Sequence, residues 1–469
     1  MPSPSLDREF DRGPAGGAPE LKREMGALLK LALPLIAGHT GNQLMSFVDT
    51  AMVGRLGATA LAGVGIGNAI YFTITLCGLG VIMGMDAPTS QAWGARDPVR
   101  ARRLLWNGVY VALLATVLLS LAIVLSPGLL PLFGVKPEIT DIARDFLWAR
   151  TPSVLPFLLF VAGRSYLQAV GVTRPMVIAT IVGNVANFLG NALFIFGDDA
   201  LAWVGIPPLG IPRYGAVGSA MSSSVASAIM AVIIFAAVAG VDAPADKERR
   251  RFEPALARTI LGLGLPFGLQ LFAEVGVFSI VGILTGRLGA AITSGHQVAL
   301  TLASFSFTIT IGIASATAVL VGHAIGRGDG PGARRAGFHG LLASWGVMAM
   351  SLVAFFLMPE LLARILTNDP TVIAAALPLI QIAAVFQLSD GTQATAAGAL
   401  RGAGDARFPL WANVLGHYAV GLPIAVFLAF TMHMDARGLW WGLSAGLTAV
   451  AVGLLLRFER LTRGGIERV

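Results

Sequence analysis

The sequence predicts an all-α integral membrane protein: twelve transmembrane helices in two six-helix lobes, related by a pseudo-twofold axis along the membrane normal. Three observations predict it. The chain is too apolar for water, it divides into spanning-length apolar segments, and its first half returns in its second. Of 469 residues, 55% are hydrophobic and only 13% charged, where a soluble domain carries about 25% charged residues. A surface built from such a chain is at home only in a bilayer.

The stretch Leu31–Gly57 returns without a gap as the stretch ending at Gly289. Pro34 maps to Pro266, and Gly54-Arg55-Leu56-Gly57 to Gly286-Arg287-Leu288-Gly289. At the same offset Gln91-Ala92-Trp93-Gly94 faces His323-Ala324-Ile325-Gly326, and Asp97 faces Asp329. Ala101-Arg102-Arg103 then faces Ala333-Arg334-Arg335. One register held this long marks an internal duplication. Its period is far too long for a solenoid, so the repeats are two halves of one helical body.

A spanning helix needs roughly 20 apolar residues. In chain order the candidates are about 27–53, 59–85, 104–126, 145–165, 175–197, 215–240, 260–285, 290–322, 337–358, 371–400, 408–431 and 438–457. Pro34, Pro156, Pro266 and Pro423 fall inside spans, at places where kinks are tolerated. The resulting organisation is a cytoplasmic amino-terminal tail (1–26), an amino-terminal lobe (27–240), a polar cytoplasmic linker (241–259), a carboxy-terminal lobe (260–457) and a cytoplasmic tail (458–469). Residues 1–26 show no secretory cleavage pattern, so the first apolar segment is expected to serve as the insertion signal.

Orientation follows from the short loops. Alternate loops collect Arg8, Arg12, Lys22, Arg23, the Arg96–Arg103 cluster, Lys247, Arg249–Arg251, Arg334, Arg335 and the arginines from Arg457 on. The opposite side holds only Arg55, Lys136, Arg144, Arg213, Arg287, Arg364 and Arg437. The basic side is therefore the cytoplasmic one, and both termini lie on it. The net charge of +7 is dealt out among these loops rather than gathered in a patch, so nucleic acid is not an expected partner. Cys77 is the only cysteine, which excludes a disulfide within the chain and a cysteine metal cluster. Trp93, Trp106, Trp148, Trp440 and Trp441 sit near segment ends and read as interface anchors.

Carboxylates inside a membrane are costly and point to function. Three lie within the spans: Asp49 toward the outer end of the first, Glu274 near the middle of the seventh, and Asp390 near the middle of the tenth. The alternative is a structural acid bonded to a neighbouring helix. Spacing adds to the functional reading. His39, Asn42, Ser46 and Asp49 share one face of the first helix, and Thr180, Asn184, Asn187 and Asn191 one face of the fifth. Gln270 and Glu274 are one turn apart, Phe386, Asp390 and Gln393 share a face, and Gln297, Thr301, Ser304, Thr308 and Ser315 line the eighth helix. These stripes are expected to face a wet cavity. Ser219, Ser223 and Ser227 on the sixth helix fit close helix packing as well. Asp49, Asn187 and Asn191 supply hard oxygen ligands that suit sodium, whereas a lone carboxylate suits a proton. His39 and His417 read as satisfied interior histidines, and Asp86 as a helix-end residue.

The chain resembles the multidrug and toxic compound extrusion (MATE) family, in its bacterial NorM-like branch. The matching stretches are Phe47-Val48-Asp49-Thr50-Ala51-Met52-Val53-Gly54, Glu274-Val275, Gly295-His296-Gln297-Val298-Ala299-Leu300, and Ala396-Ala397-Gly398-Ala399-Leu400-Arg401-Gly402 after Asp390. The resemblance spans about residues 26–460. It implies a two-lobed antiporter that exports organic, often cationic, compounds in exchange for sodium or protons. It further implies a cation site at Asp49, Asn187 and Asn191 and another at Glu274 and Asp390. Phe386 departs from the family, since some relatives carry a tyrosine there and its hydroxyl is missing as a ligand.

The expected protein is thus no enzyme and has no cofactor beyond its coupling ion. It works in the bacterial inner membrane, on small organic substrates, as a monomer. A lipid-linked precursor flippase of similar architecture is the nearest rival, but it would line its path with basic residues for a phosphate. An intramembrane enzyme using His39 and the acids is the other; no nucleophile-and-base pair supports it.

Overall fold

The computed structural model describes residues 18–202, 205, 207–241, 250–464 and 468–469. Among these residues there are helices and no strands. Twelve long helical segments follow one another: α1 (Ala18–Gly54), α2 (Ala58–Gly94), α3 (Pro98–Phe133), α4 (Pro137–Ala169), α5 (Arg174–Phe196) and α6 (Ala216–Ala239) come first. Then come α7 (Pro254–Gly286), α8 (Ala290–Gly326), α9 (Gly330–Leu357), α10 (Pro370–Gly402), α11 (Arg407–Thr431) and α12 (Asp435–Gly464). All but α1 are apolar enough by composition to cross a membrane. With 37 residues α1 is about 55 Å long and ample for a bilayer. Its polar face, from His39 to Asp49, is what dilutes its hydropathy.

Helix ends depart from the expected boundaries because a helix does not stop where its apolar run stops. The first helix begins at Ala18, inside the expected tail, and α12 continues to Gly464. The remainder of both tails, 1–17 and 465–467, and residues 242–249 of the expected linker, with Lys247 and Arg249, lie outside the described residues. The described part of the linker is pinned to α3. Asn107 accepts from the Glu253 N–H at 2.8 Å, Tyr110 donates to the Arg250 carbonyl, and Arg103 lies 3.6 Å from Glu253. Pro34 and Pro266 sit inside continuous helices. In α4 the break comes at Thr151–Ser153, around Pro152 rather than Pro156, because Pro156 falls in the first turn after the break, where its missing N–H has no partner to lose.

The duplication is visible in the backbone. Gly57 (φ 106°) and Gly289 (φ 115°) stand before α2 and α8 in a conformation that favours glycine. Leu56 N–H donates to Val53 O at 2.9 Å, and Leu288 N–H to Thr285 O at 2.9 Å. Asp97 N–H bonds Ala92 O and Asp329 N–H bonds Ala324 O, also at 2.9 Å each. Between α5 and α6, Asp198 accepts from the N–H groups of Ile211, Leu209 and Gly210. Those bonds, Ile211's foremost, hold its carboxyl below the usual carboxylate range.

Packing divides the chain into two units. Unit 1 gathers Ala37–Met85 and Pro98–Gly268; unit 2 gathers Asp86–Asp97, Leu269–Val469 and the segment up to Ile36. Within unit 1, a Cβ at Gly41 would stand 2.1 Å from the Thr180 side chain, and one at Gly190 2.6 Å from Ser222 Oγ. Small residues thus bring α1, α5 and α6 close together. Within unit 2, Gly438, Gly442 and Gly446 of α12 face the backbone of α11 at Ala429, Ala425 and Gly421. Here α11 widens into π-helical turns at Leu415–Gly421 and Phe427–Thr431. The foot of α1 is anchored in the same unit, where buried Glu24 meets His339 Nδ1 at 2.9 Å and Arg335 at 3.5 Å.

Trp440 corrects one expectation. It is fully buried in a core of aliphatic side chains, donates to His296 Nδ1 at 3.2 Å, and packs against Phe386 with ring centroids 5.8 Å apart. It is not an interface anchor, because its indole N–H finds an internal acceptor. Trp148 is exposed, and Trp441 is 40% exposed. Asp86 opens the second helical part of α2, Asp86–Gly94, after the first ends at Met83, and it is also paired with Arg401 at 3.6 Å.

Candidate functional site

The unit 1 group is built on α1, α5, α6 and α4. Asp49, one turn from the end of α1, is 3% exposed. Its Oδ1 accepts from Asn191 Nδ2 at 2.6 Å and its Oδ2 from Ser223 Oγ at 3.0 Å. Asn187, one turn before Asn191, accepts from it at 3.2 Å and donates to Ser223 Oγ at 3.3 Å. Ser222 Oγ ties the Asn187 carbonyl at 2.7 Å. Four uncharged side chains of α5 and α6 thus close one buried network around the Asp49 carboxylate of α1. Ser223 belongs to it, whereas Ser227 merely bonds back to the Ser223 carbonyl within α6.

Sequence reading passes over one further member. Arg150 ends the first helical part of α4, its Nη1 3.9 Å from Asp49 Oδ2. Its guanidinium lies over the Tyr71 ring at 4.8 Å and over Phe146 at 5.9 Å. Tyr71 is held in turn by a 2.6 Å hydrogen bond with Ser153 in the turn that follows Arg150. The signal was present: an arginine within the apolar segment 145–165 requires a partner.

The unit 2 group is built on α7, α10 and α11. Asp390 is 4% exposed and Gln270 2%, while Glu274 is half-buried. Asp390 lies within electrostatic reach of Glu274, and Gln393 lies beside Glu274. Gln393 also donates to Asn413 on α11 at 3.3 Å. Among the described residues neither acid forms an ion pair, in contrast to Asp49. Gln387, one turn before Gly391 on α10, was not singled out by spacing; it is fully buried and its amide makes no hydrogen bond within the protein. His417, one turn beyond Asn413, is likewise buried with neither ring nitrogen hydrogen-bonded, so it is interior but not satisfied by protein groups. Unpaired buried polar atoms are uncommon in a packed interior; Gln387 shares α10 with Asp390, and His417 lies on the neighbouring α11.

Of the other expected lining residues, Phe386 is buried edge-on against Phe278, with centroids 6.2 Å apart, and against Trp440. Asn42 and Gln297 are exposed, and His39 and Thr301 partly so. Thr301 donates to the Gln297 carbonyl at 2.8 Å, within α8. Among the described residues no three His, Cys, Asp or Glu side chains converge as a metal cluster. The two groups can do different things. One is a carboxylate–guanidinium pair in a hydrogen-bonded cage, and the other is a pair of acids with no counter-ion among the described residues.

Comparison with known proteins gives a consistent set of relatives. The MatE family model matches residues 34–193 and 266–427, two stretches that start at the paired prolines Pro34 and Pro266. The probable multidrug resistance protein NorM of Pseudomonas putida is 36% identical over 444 residues, 93% of this chain and 94% of that protein. The corresponding protein of Deinococcus radiodurans is 35% identical over 454 residues, 94% and 96% of the two chains. The multidrug resistance protein PmpM of Pseudomonas aeruginosa is 32% identical over 456 residues, 96% and 94% of the two. Among solved structures, a multidrug resistance MATE family transporter in an outward-facing conformation superposes with a TM-score of 0.84 at 19% identity, covering 94% and 97% of the chains. The eukaryotic MATE transporter AtDTX14 gives 0.82 at 20% identity, over 95% and 98%. At these identities the structures speak for the fold alone, and a twelve-helix, two-lobed layout fits it.

Proposed function

The chain belongs to the MatE family, and from that premise we propose that it is a secondary active exporter. It would move small organic, often cationic, compounds out across the bacterial inner membrane in exchange for sodium or protons. The observation that carries the reading is the Glu274–Asp390 pair: two acids inside spans, within electrostatic reach of each other, with no ion-pair partner among the described residues. Two such charges in apolar surroundings call for a neutralising cation. A proton or sodium ion would serve in one half of the cycle and a cationic substrate in the other. Exclusive occupancy of that kind is what exchange requires. The names of the relatives, multidrug resistance proteins, support the same substrate class.

The flippase alternative is disfavoured by the same observation, because a phosphate would be repelled by two unpaired acids. The test is transport in sealed vesicles containing the purified chain, with sodium and pH gradients imposed separately. Uptake of a fluorescent organic cation into inverted vesicles should depend on one gradient or both. Movement without any gradient, or none under either, would count against exchange. Cells overproducing the chain should tolerate several unrelated cationic drugs at raised concentration.

We further propose that the basic loops face the cytoplasm, that both termini lie inside, and that the protein works as a monomer without nucleic acid. A reporter that is active only outside the cell should stay silent when fused at Gly464. Activity there would overturn the orientation.

A further inference from the structure

We propose that Arg150 is a built-in cation for the Asp49 carboxylate, and that it keeps sodium out of the unit 1 group. The proposal deepens the reading of the buried acids as cation sites, and rests on it. Asp49 is the one acid of its network; Asn187, Asn191, Ser222 and Ser223 are uncharged. With the guanidinium 3.9 Å from Oδ2, the group is already neutral. A sodium ion entering it would add a charge with nothing to balance it, at close range to another cation and away from bulk water, where such repulsion is strong.

The donors point the same way. Each Asp49 oxygen already accepts a hydrogen bond, from the Asn191 amide and the Ser223 hydroxyl. An ion would have to compete with these donors for the carboxylate while collecting the several oxygen ligands that a hard cation needs. Arg150 is also placed rather than adrift. Tyr71 and Phe146 face its guanidinium, Ser153 fixes the Tyr71 hydroxyl, and Ser153 Oγ additionally bonds the Arg150 carbonyl at 2.6 Å. Its Nε and Nη1 are buried and make no hydrogen bond within the protein. Ring faces and the charge of Asp49 therefore hold the guanidinium, and no competing anion among the described residues draws it away. Among the described residues Glu274 and Asp390 have no such resident cation, so a metal coupling ion is left to unit 2.

The test is equilibrium binding of radioactive sodium to the purified full chain in detergent, in a Glu274→Gln/Asp390→Asn background that silences the other acids. With Arg150 in place, no sodium binding that depends on Asp49 is expected. Arg150→Gln should create it, with affinity raised on the order of tenfold or more by the loss of one neighbouring unit charge, and adding Asp49→Asn should abolish it. Arg150→Met, which keeps an apolar stem against Tyr71, is the second variant should the first not fold. Asp49-dependent sodium binding with Arg150 present would overturn the proposal. So would its continued absence in a folded variant that lacks the arginine. No export is measured, so a failure here leaves the transport reading standing, and a failure of gradient-driven transport leaves this result interpretable.

Discussion

Asp49→Asn should reduce gradient-driven export to the level of empty vesicles while the protein still reaches the membrane. The substitution is nearly isosteric, so its effects are those of charge and hydrogen bonding. The new side chain can accept from Asn191 or from Ser223 through its oxygen, but it presents an N–H to the other, where a donor already points. It also removes the charge opposite Arg150. Stripping one partner from a buried ion pair costs roughly 3–5 kcal/mol, because the remaining charge stays desolvated. Part of the damage is therefore to stability, and it has to be separated from the damage to transport. Asp49→Asn/Arg150→Gln removes both charges and should recover most of the thermal stability in detergent without recovering export. Normal export by Asp49→Asn vesicles would dismiss the unit 1 group from the mechanism. Full recovery by the double variant would reduce the pair to a structural staple.

The fold was legible because its two determinants are one-dimensional. Apolar length marks each span, and a constant offset between Pro34 and Pro266 marks the duplication. Helix ends were less legible. Ala18 and Gly464 lie in polar sequence that stays helical without being apolar, so no hydropathy boundary announces them. The acids of the candidate site were legible from the cost of burying charge, and the asparagines from helical spacing. The partners that decide the chemistry were not. Spacing on α1 places Asp49 beside His39 and Asn42, yet its hydrogen bonds go to other helices, at Asn191 and Ser223. Which faces meet is settled by where Gly41 and Gly190 permit close approach, a matter of tertiary packing. That Arg150 was passed over and Trp440 read as an anchor has one shared reason. Arginine and tryptophan near a segment end are ordinarily read as snorkelling or anchoring at the interface. Each here turns inward because an internal partner awaits it, Asp49 in one case and His296 Nδ1 in the other.

Glu274→Gln and Asp390→Asn should each lower export strongly, and the two together should lower it little more than the worse of them alone. A cation held between two acids is bound by both, so removing either dismantles the same site. A hydrogen bond to a charged group contributes roughly 1.5–3 kcal/mol, which corresponds to about ten- to a hundredfold in affinity per acid. If the acids acted separately, those factors would multiply in the double variant. If they act as a unit, the second loss has nothing left to remove. Their proximity favours the unit, since Asp390 feels the charge of Glu274 and Gln393 bridges from Glu274 toward Asn413. The absence of a resident counter-ion among the described residues favours it further, because two unshielded acids cannot both stay charged and empty in so apolar a setting. Export rate against external sodium and pH, for the parent and the three variants, distinguishes the two cases. A sub-multiplicative double, with the ion dependence already lost in each single, places the coupling cation on the pair. Independent losses that multiply, with ion dependence intact in one single, would assign the ion to one acid and leave the other to the substrate or the fold.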